Sequence, residues 1–233
     1  MENKTSKYFK YAIGEIILVV IGILIALQIN TWNQNRIDKN VEDEVIAHLH
    51  RDFIENKKTL DEFVVANQEE MNALTTLMSL VGATNEELQE QNLDSLFYES
   101  LAANELAFAD NTLKNIMQSD QLNLLKNEDV NALLYQWNEL SEIRVIRMSK
   151  LDDWANNHFI PYLLSRISFK EMDAISKLKW TGKSKVKPDY YPMFQEVEFE
   201  NYLDNSLWFH QQIDVRCKEM QALIEKIIKV TKL

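Results

Sequence analysis

Glycine and proline are scarce: the 233-residue chain holds four of the first and three of the second. Sheets and tight hairpins draw on turn glycines, so their shortage argues against a β or mixed fold and for an all-α class. A single cysteine, Cys217, rules out an internal disulfide and any site built on several thiolates. Basic surplus is missing too. The net charge is −11, and a domain that wraps nucleic acid wants a basic face, so we expect no nucleic-acid partner. Four glycines leave little material for phosphate-cradling loops. No Gly-x-Ser-x-Gly, P-loop or dinucleotide fingerprint is present, and no HExxH pair. The residues thus give no positive sign of an enzyme and call for no cofactor.

What the chain does hold is one long apolar run. From Ile16 to Leu27 no side chain is polar, and extending the run to residues 11–29 admits only Glu15 and Gln28. Nineteen residues at about 1.5 Å rise make a helix of roughly 28 Å, close to the thickness of a bilayer's hydrocarbon layer. Residues 11–32 therefore read as a transmembrane helix. Trp32 at one end, with Tyr8, Phe9 and Tyr11 at the other, fits an interfacial aromatic belt. A cleaved signal peptide is the plain alternative. It fits less well, because the apolar region is long and Ala26-Leu27-Gln28 offers no small-x-small cleavage pattern.

Charge sets the expected orientation. Lys4, Lys7, Lys10 and Arg36 against Glu2 and Glu15 leave residues 1–36 at +2, so the remainder carries −13. Lysines precede the run and acids soon dominate after it. The positive-inside rule then places residues 1–10 as a cytoplasmic tail and residues 33–233 outside the cytoplasm.

The block formed by residues 7–36, KYFKYAIGEIILVVIGILIALQINTWNQNR, resembles the opening of an uncharacterised bacterial family of single-pass membrane proteins. That family is found mostly in Bacteroidota-type bacteria and is filed as a domain of unknown function. The shared elements are Tyr-Ala-Ile-Gly-Glu-Ile at 11–16, Gly-Ile-Leu-Ile-Ala-Leu-Gln-Ile-Asn at 22–30 and Trp-Asn at 32–33. A weaker similarity covers residues 117–130, where this chain has Asp120 and Gln121 in place of the family's glycine turn. The resemblance implies a Gram-negative inner-membrane location with a periplasmic helical domain. It carries no activity.

Beyond the run, apolar residues recur at three- and four-residue steps and predict several helices. The first covers 36–80 and, with no Gly or Pro between, continues the span as one rod to a stop at Gly82. Thr84-x-x-Glu87 is a capping-box pattern, 93–104 reads as a short helix, and Asp110 or Asn111 caps another through Leu113, Ile116 and Met117. Asn127 caps a longer one, whose stripe reads Val130, Leu133, Leu134, Trp137, Leu140, Ile143, Ile146, Leu151 and Trp154, with an end or kink at 157–160 before Pro161. Ser168-x-x-Glu171 opens a helix to about 178, and a last helix runs from Phe194 or Phe199 to Val230. The expected architecture is an N-terminal transmembrane helix followed by an antiparallel helical bundle ectodomain.

Three groups of residues invite function. Glu15, Gly22 and Ala26 share one face of the span, and Gly22-x-x-x-Ala26 lets a second helix approach closely. Glu15 there is open to three readings: pairing with a partner or a second copy, lining a proton path, or resting near water at the cytoplasmic end. Lys179, Lys183, Lys185 and Lys187, with Trp180, Tyr190 and Tyr191, form a basic loop. It suits an anionic headgroup, a glycan phosphate or an acidic partner, or is simply a solvated loop. Glu44, His48 and Asp52 lie at metal-like spacing, although a solvated helix face explains them as well, and we expect no metal site. Cys217 reads as a buried small residue among Val215, Met220 and Trp208, and Trp137, Trp154 and Trp208 as core.

The expectation for function is a membrane-anchored helical interaction or assembly module, with a protein partner or homo-oligomer formed through the span. A ligand-sensing helical ectodomain is the alternative. A subunit of an ion-driven membrane complex is a third reading, resting on Glu15 alone.

Overall fold

Glycine's placement punctuates the chain. In the computed structural model, which describes residues 3–101, 104–119, 125–175 and 182–232, the first helix α1 runs Asn3–Ser79 without a break. It contains no proline, and the first glycine after Gly22 is Gly82, which adopts φ +79 and turns the chain. The Gly82 N–H donates to Phe194 O at 2.8 Å, tying the end of α1 to the segment that leads into the last helix.

The other helices follow from local signals. α2 (Asn85–Gln89) opens with the capping box between Thr84 and Glu87. α3 (Leu93–Ser100) stops four residues short of the expected end, and α4 (Asn111–Gln118) follows Asp110, whose carboxylate pairs with Lys114 at 2.8 Å rather than capping the helix. α5 (Glu128–Trp154) is capped by Asn127, whose Oδ1 accepts the N–H groups of Asp129 and Val130. A π-helical turn (Ala155–Phe159) joins it to α6 (Ile160–Leu164). Pro161 lacks an N–H and its ring crowds the carbonyl four residues back, so the backbone widens upstream, with the Ile160 N–H reaching Ala155 O. α7 is Phe169–Ile175, the remainder of its expected length lying outside the described residues. A 3-10 turn (Met193–Gln195) leads into α8 (Val197–Val230). Every regular element among the described residues is helical.

Contacts between α1 and α8 fall in reverse order along the two helices. His50 Nδ1 meets Thr231 Oγ1 at 3.0 Å, Lys57 pairs with Glu225 at 3.1 Å, and the Asn67 side chain donates to His210 O at 3.4 Å. α5 packs against α8 through Trp154, whose Nε1 donates to Ser206 Oγ at 3.2 Å.

Burial separates into two apolar clusters. One gathers Leu49, Phe53 and Leu60 of α1, Trp137 of α5, and Met220 and Ile224 of α8. The other gathers Leu74 and Leu77 of α1, Phe97 of α3, and Phe194, Phe199 and Leu203 near the start of α8. Cys217 is buried in the first cluster, where burial pushes its thiol up to about 12, so it is inert.

The packing stripes differ from those drawn by apolarity alone. On α5 the expected Trp137, Leu140 and Leu151 do pack, but Ser141, Arg144 and Met148 join them on the covered side, which turns Val145 and Ile146 outward. The Arg144 guanidinium donates to Leu106 O at 2.5 Å and lies 4.9 Å over the Phe108 ring. On α8 the stripe runs through Leu203, Ser206, His210, Ile213 and Cys217, leaving Trp208 and Val215 exposed rather than in the core. Two residues along a helix is about 200°, so a side chain two places off the stripe faces away.

Candidate functional site

The apolar run is long and apolar enough to cross a membrane, and none of it is buried within the chain. Ile16, Leu18, Val19, Ile23 and Leu27 are each more than half exposed. The uninterrupted helix keeps Glu15, Gly22 and Ala26 within about 40° of one another at 100° per residue. A Cβ built on Gly22 meets nothing within 4 Å, so the notch at this face is vacant in the single chain. Past Trp32 the helix stays exposed and is held by its own surface pairs: Gln34 to Asp38 at 2.8 Å and Lys39 to Asp43 at 3.0 Å. The first buried residue past Trp32 is Glu42, which accepts the Lys126 N–H at 2.8 Å.

The lysine loop lies at the other end of α1. Lys183, Lys185 and Lys187 are exposed, while Lys179 and Trp180 lie outside the described residues. The segment is fastened by Ser184 N–H to Glu171 Oε1 at 2.7 Å and by the Tyr190 hydroxyl to Asp94. Ser79 is 47 residues beyond Trp32, about 70 Å of helix at 1.5 Å per residue. The structure therefore does not bring the lysines together with Glu15, Gly22 and Ala26. His48 is exposed and the His158 ring lies tilted against Trp154 at 5.0 Å; no cluster of metal-ligating side chains occurs among the described residues.

A third place was not singled out from the sequence. Where one apolar cluster gives way to the other, α1 turns Asn67 and Glu70 inward and α8 turns His210 to meet them, all three buried. His210 Nδ1 is 2.8 Å from Asn67 Oδ1 and 3.3 Å from Glu70 Oε2, and Asn104 donates from Nδ2 to Glu70 Oε1. Two acceptors facing Nδ1 fix the proton on that nitrogen. Burial raises Glu70 from 4.5 to about 7, despite the opposing Asn104 hydrogen bond. Burial also lowers His210 from 6.5 to about 4. The 3.3 Å contact has the length of an ion pair, but the imidazole is neutral at pH 7 and the contact is a hydrogen bond to the carboxyl group.

The cluster forms one wall of a cleft of about 490 Å³. The rest of the lining includes Leu101 and Asn104 after α3, Met148 and Leu151 of α5, and Ala155, Asn156 and Phe159 of the π-helical turn. Widened turns of this kind recur at functional sites, and here the turn aligns three side chains along one opening. The sequence did carry a signal for the cluster. Asn67 and Glu70 sit between Phe63 and Leu74 at four-, three- and four-residue steps, polar residues on an apolar stripe.

Known protein families, curated proteins and solved structures give no match to this chain.

Proposed function

We propose that the chain is a membrane-anchored helical interaction and assembly module. In this reading residues 11–32 span the inner membrane, residues 1–10 are cytoplasmic, and residues 33–233 form an antiparallel helical bundle in the periplasm, as in the family that the N-terminal block resembles. The supporting observation is that the span and the central helix of the bundle are one helix, Asn3–Ser79, whose first part finds no partner in its own chain. Lipid covers most of that surface. Glu15, Gly22 and Ala26 exceed what insertion requires, and a close-packed partner helix or a second copy explains them. The lysine loop, far along α1 from the span, suits an acidic partner or a glycan phosphate.

Crosslinking in native membranes tests this reading. Gly22→Leu and Glu15→Gln are expected to reduce a crosslinked dimer or hetero-complex, and affinity purification should recover a stoichiometric partner. An unchanged crosslinking pattern in both variants, with a monomeric and partnerless protein, would remove its basis. A ligand-sensing ectodomain is the second reading, and the cleft beside Glu70 and His210 is the observation that favours it.

A further inference from the structure

A buried carboxyl group with no basic neighbour is costly to ionise, and a protein interior usually supplies Lys or Arg to offset it. Glu70 has none. Among the residues lining its cleft there is no lysine or arginine, while Glu105, Asp152 and His210 are the other titratable groups. They come from the segment after α3, from α5 and from α8. Arg144 does not line the cleft and is engaged with Leu106 O and the Phe108 ring. His210 adds no positive charge at neutral pH, since burial holds it near 4.

The rest of the lining is apolar and soft: Phe63, Leu101, Met148, Leu151, Phe159 and Ile213. A volume of about 490 Å³ is within the usual range for a drug-sized ligand. The field in this space repels anions. A neutral guest gains the apolar contact but leaves the cost of the buried carboxylate in place. A cation with an apolar body gains from both.

We propose that this cleft binds a small organic cation, an ammonium group carried on an apolar body, with the ammonium on the Glu70 carboxylate. An ammonium donates its N–H groups to the Glu70 carboxylate, whose ionised form the Asn104 side-chain N–H also favours. The aromatic rings of Phe63 and Phe159 and the Met148 thioether receive the apolar part. Binding requires Glu70 ionised, so the guest displaces its proton, and affinity rises as pH climbs through about 7. This inference gives a ligand class to the ligand-sensing reading and rests on it alone; the assembly reading stands or falls separately, by crosslinking of the span.

The test uses the full chain in detergent micelles and titration calorimetry with 2-phenylethylamine, 2-phenylethanol and 3-phenylpropionate at pH 8. The alcohol also reports partition into the micelle. Saturable binding of the amine is expected, with the alcohol at least tenfold weaker and the carboxylate without saturable binding. Amine affinity should rise about tenfold from pH 6 to pH 8, following ionisation of a group near 7. Glu70→Gln, checked for folding by circular dichroism, should weaken the amine at least tenfold. Should that variant unfold, the pH profile together with a several-fold loss in Asn104→Ala carries the test. No saturable amine binding up to 10 mM, equal affinity for the alcohol, a flat pH profile, or full affinity in a folded Glu70→Gln protein would each overturn the proposal.

Discussion

The two halves of α1 share one backbone and meet opposite surroundings. Between residues 11 and 36 no side chain is buried, although most of the stretch is aliphatic. Between Leu49 and Leu77 the apolar positions Leu49, Phe53, Leu60, Leu74 and Leu77 are almost wholly buried, with polar residues on the outer side. Helix formation is a local matter, and both halves satisfy it without proline. What differs is periodicity. A run that is apolar all round has no face to offer water and calls for lipid, whereas a three-to-four stripe calls for neighbouring helices.

Substituting the same residue type in each half should separate these roles most sharply. Leu60→Ala removes a fully buried side chain and is expected to destabilise the bundle by about 2–5 kcal/mol in denaturant unfolding. Leu24→Ala, on the exposed run, should leave bundle unfolding within about 0.5 kcal/mol. The converse probe is Leu24→Arg, which costs about 2.5–3.5 kcal/mol at the centre of a span. It should lower the membrane-inserted fraction in a glycosylation-mapping or protease-protection assay while leaving bundle stability unchanged. Equal responses to substitution in the two halves would erase the distinction.

Glu70 and His210 give a subtler contrast inside the bundle. Glu70 is raised from 4.5 to about 7, so its contribution to stability is present below 4.5 and lost as pH rises through 7. His210 is lowered from 6.5 to about 4, so its contribution is present above 6.5 and lost as pH falls through 4. Between 4.5 and 6.5 the two cancel: folded and unfolded chains each hold one proton on the pair. The native protein should therefore show little pH dependence from this site in that window. Glu70→Gln should unmask the histidine, with stability falling by roughly 2–3 kcal/mol from pH 6.5 to 4. His210→Gln should unmask the carboxyl group, with a loss of similar size from pH 4.5 to 7. Thermal unfolding across pH reads both, and parallel profiles in the two variants would refute the scheme. The smallest effect is expected at Asn127→Ala, which frees the Asp129 and Val130 N–H groups at the start of α5 and should cost about 1 kcal/mol.

Much of the helical framework was legible in the sequence because its signals are local. The stop at Gly82, the capping box at Thr84 and Glu87, and the Asn127 cap each depend on residues within a few positions, and the structure has all three. Which face of a helix is covered is not local. Apolar character alone points Ile146 and Trp208 into the core, whereas the packed stripes pass through Ser141 and Arg144 on α5 and through Ser206 and His210 on α8. The buried cluster joins Asn67 to His210 across 143 positions, a separation that no spacing rule spans. Of the candidate groups, Glu15, Gly22 and Ala26 lie on one continuous helix. The lysine loop is placed far from them.

The unbroken course of α1 has a mechanical consequence. Between Gly22 and Gly82 the helix has neither glycine nor proline, so no hinge lies between the apolar run and the packed part of α1. Such a rod conveys torque. A neighbour that rotates the span about its axis turns the walls formed by Phe63, Asn67 and Glu70 with it, and whatever grips those walls resists the rotation below.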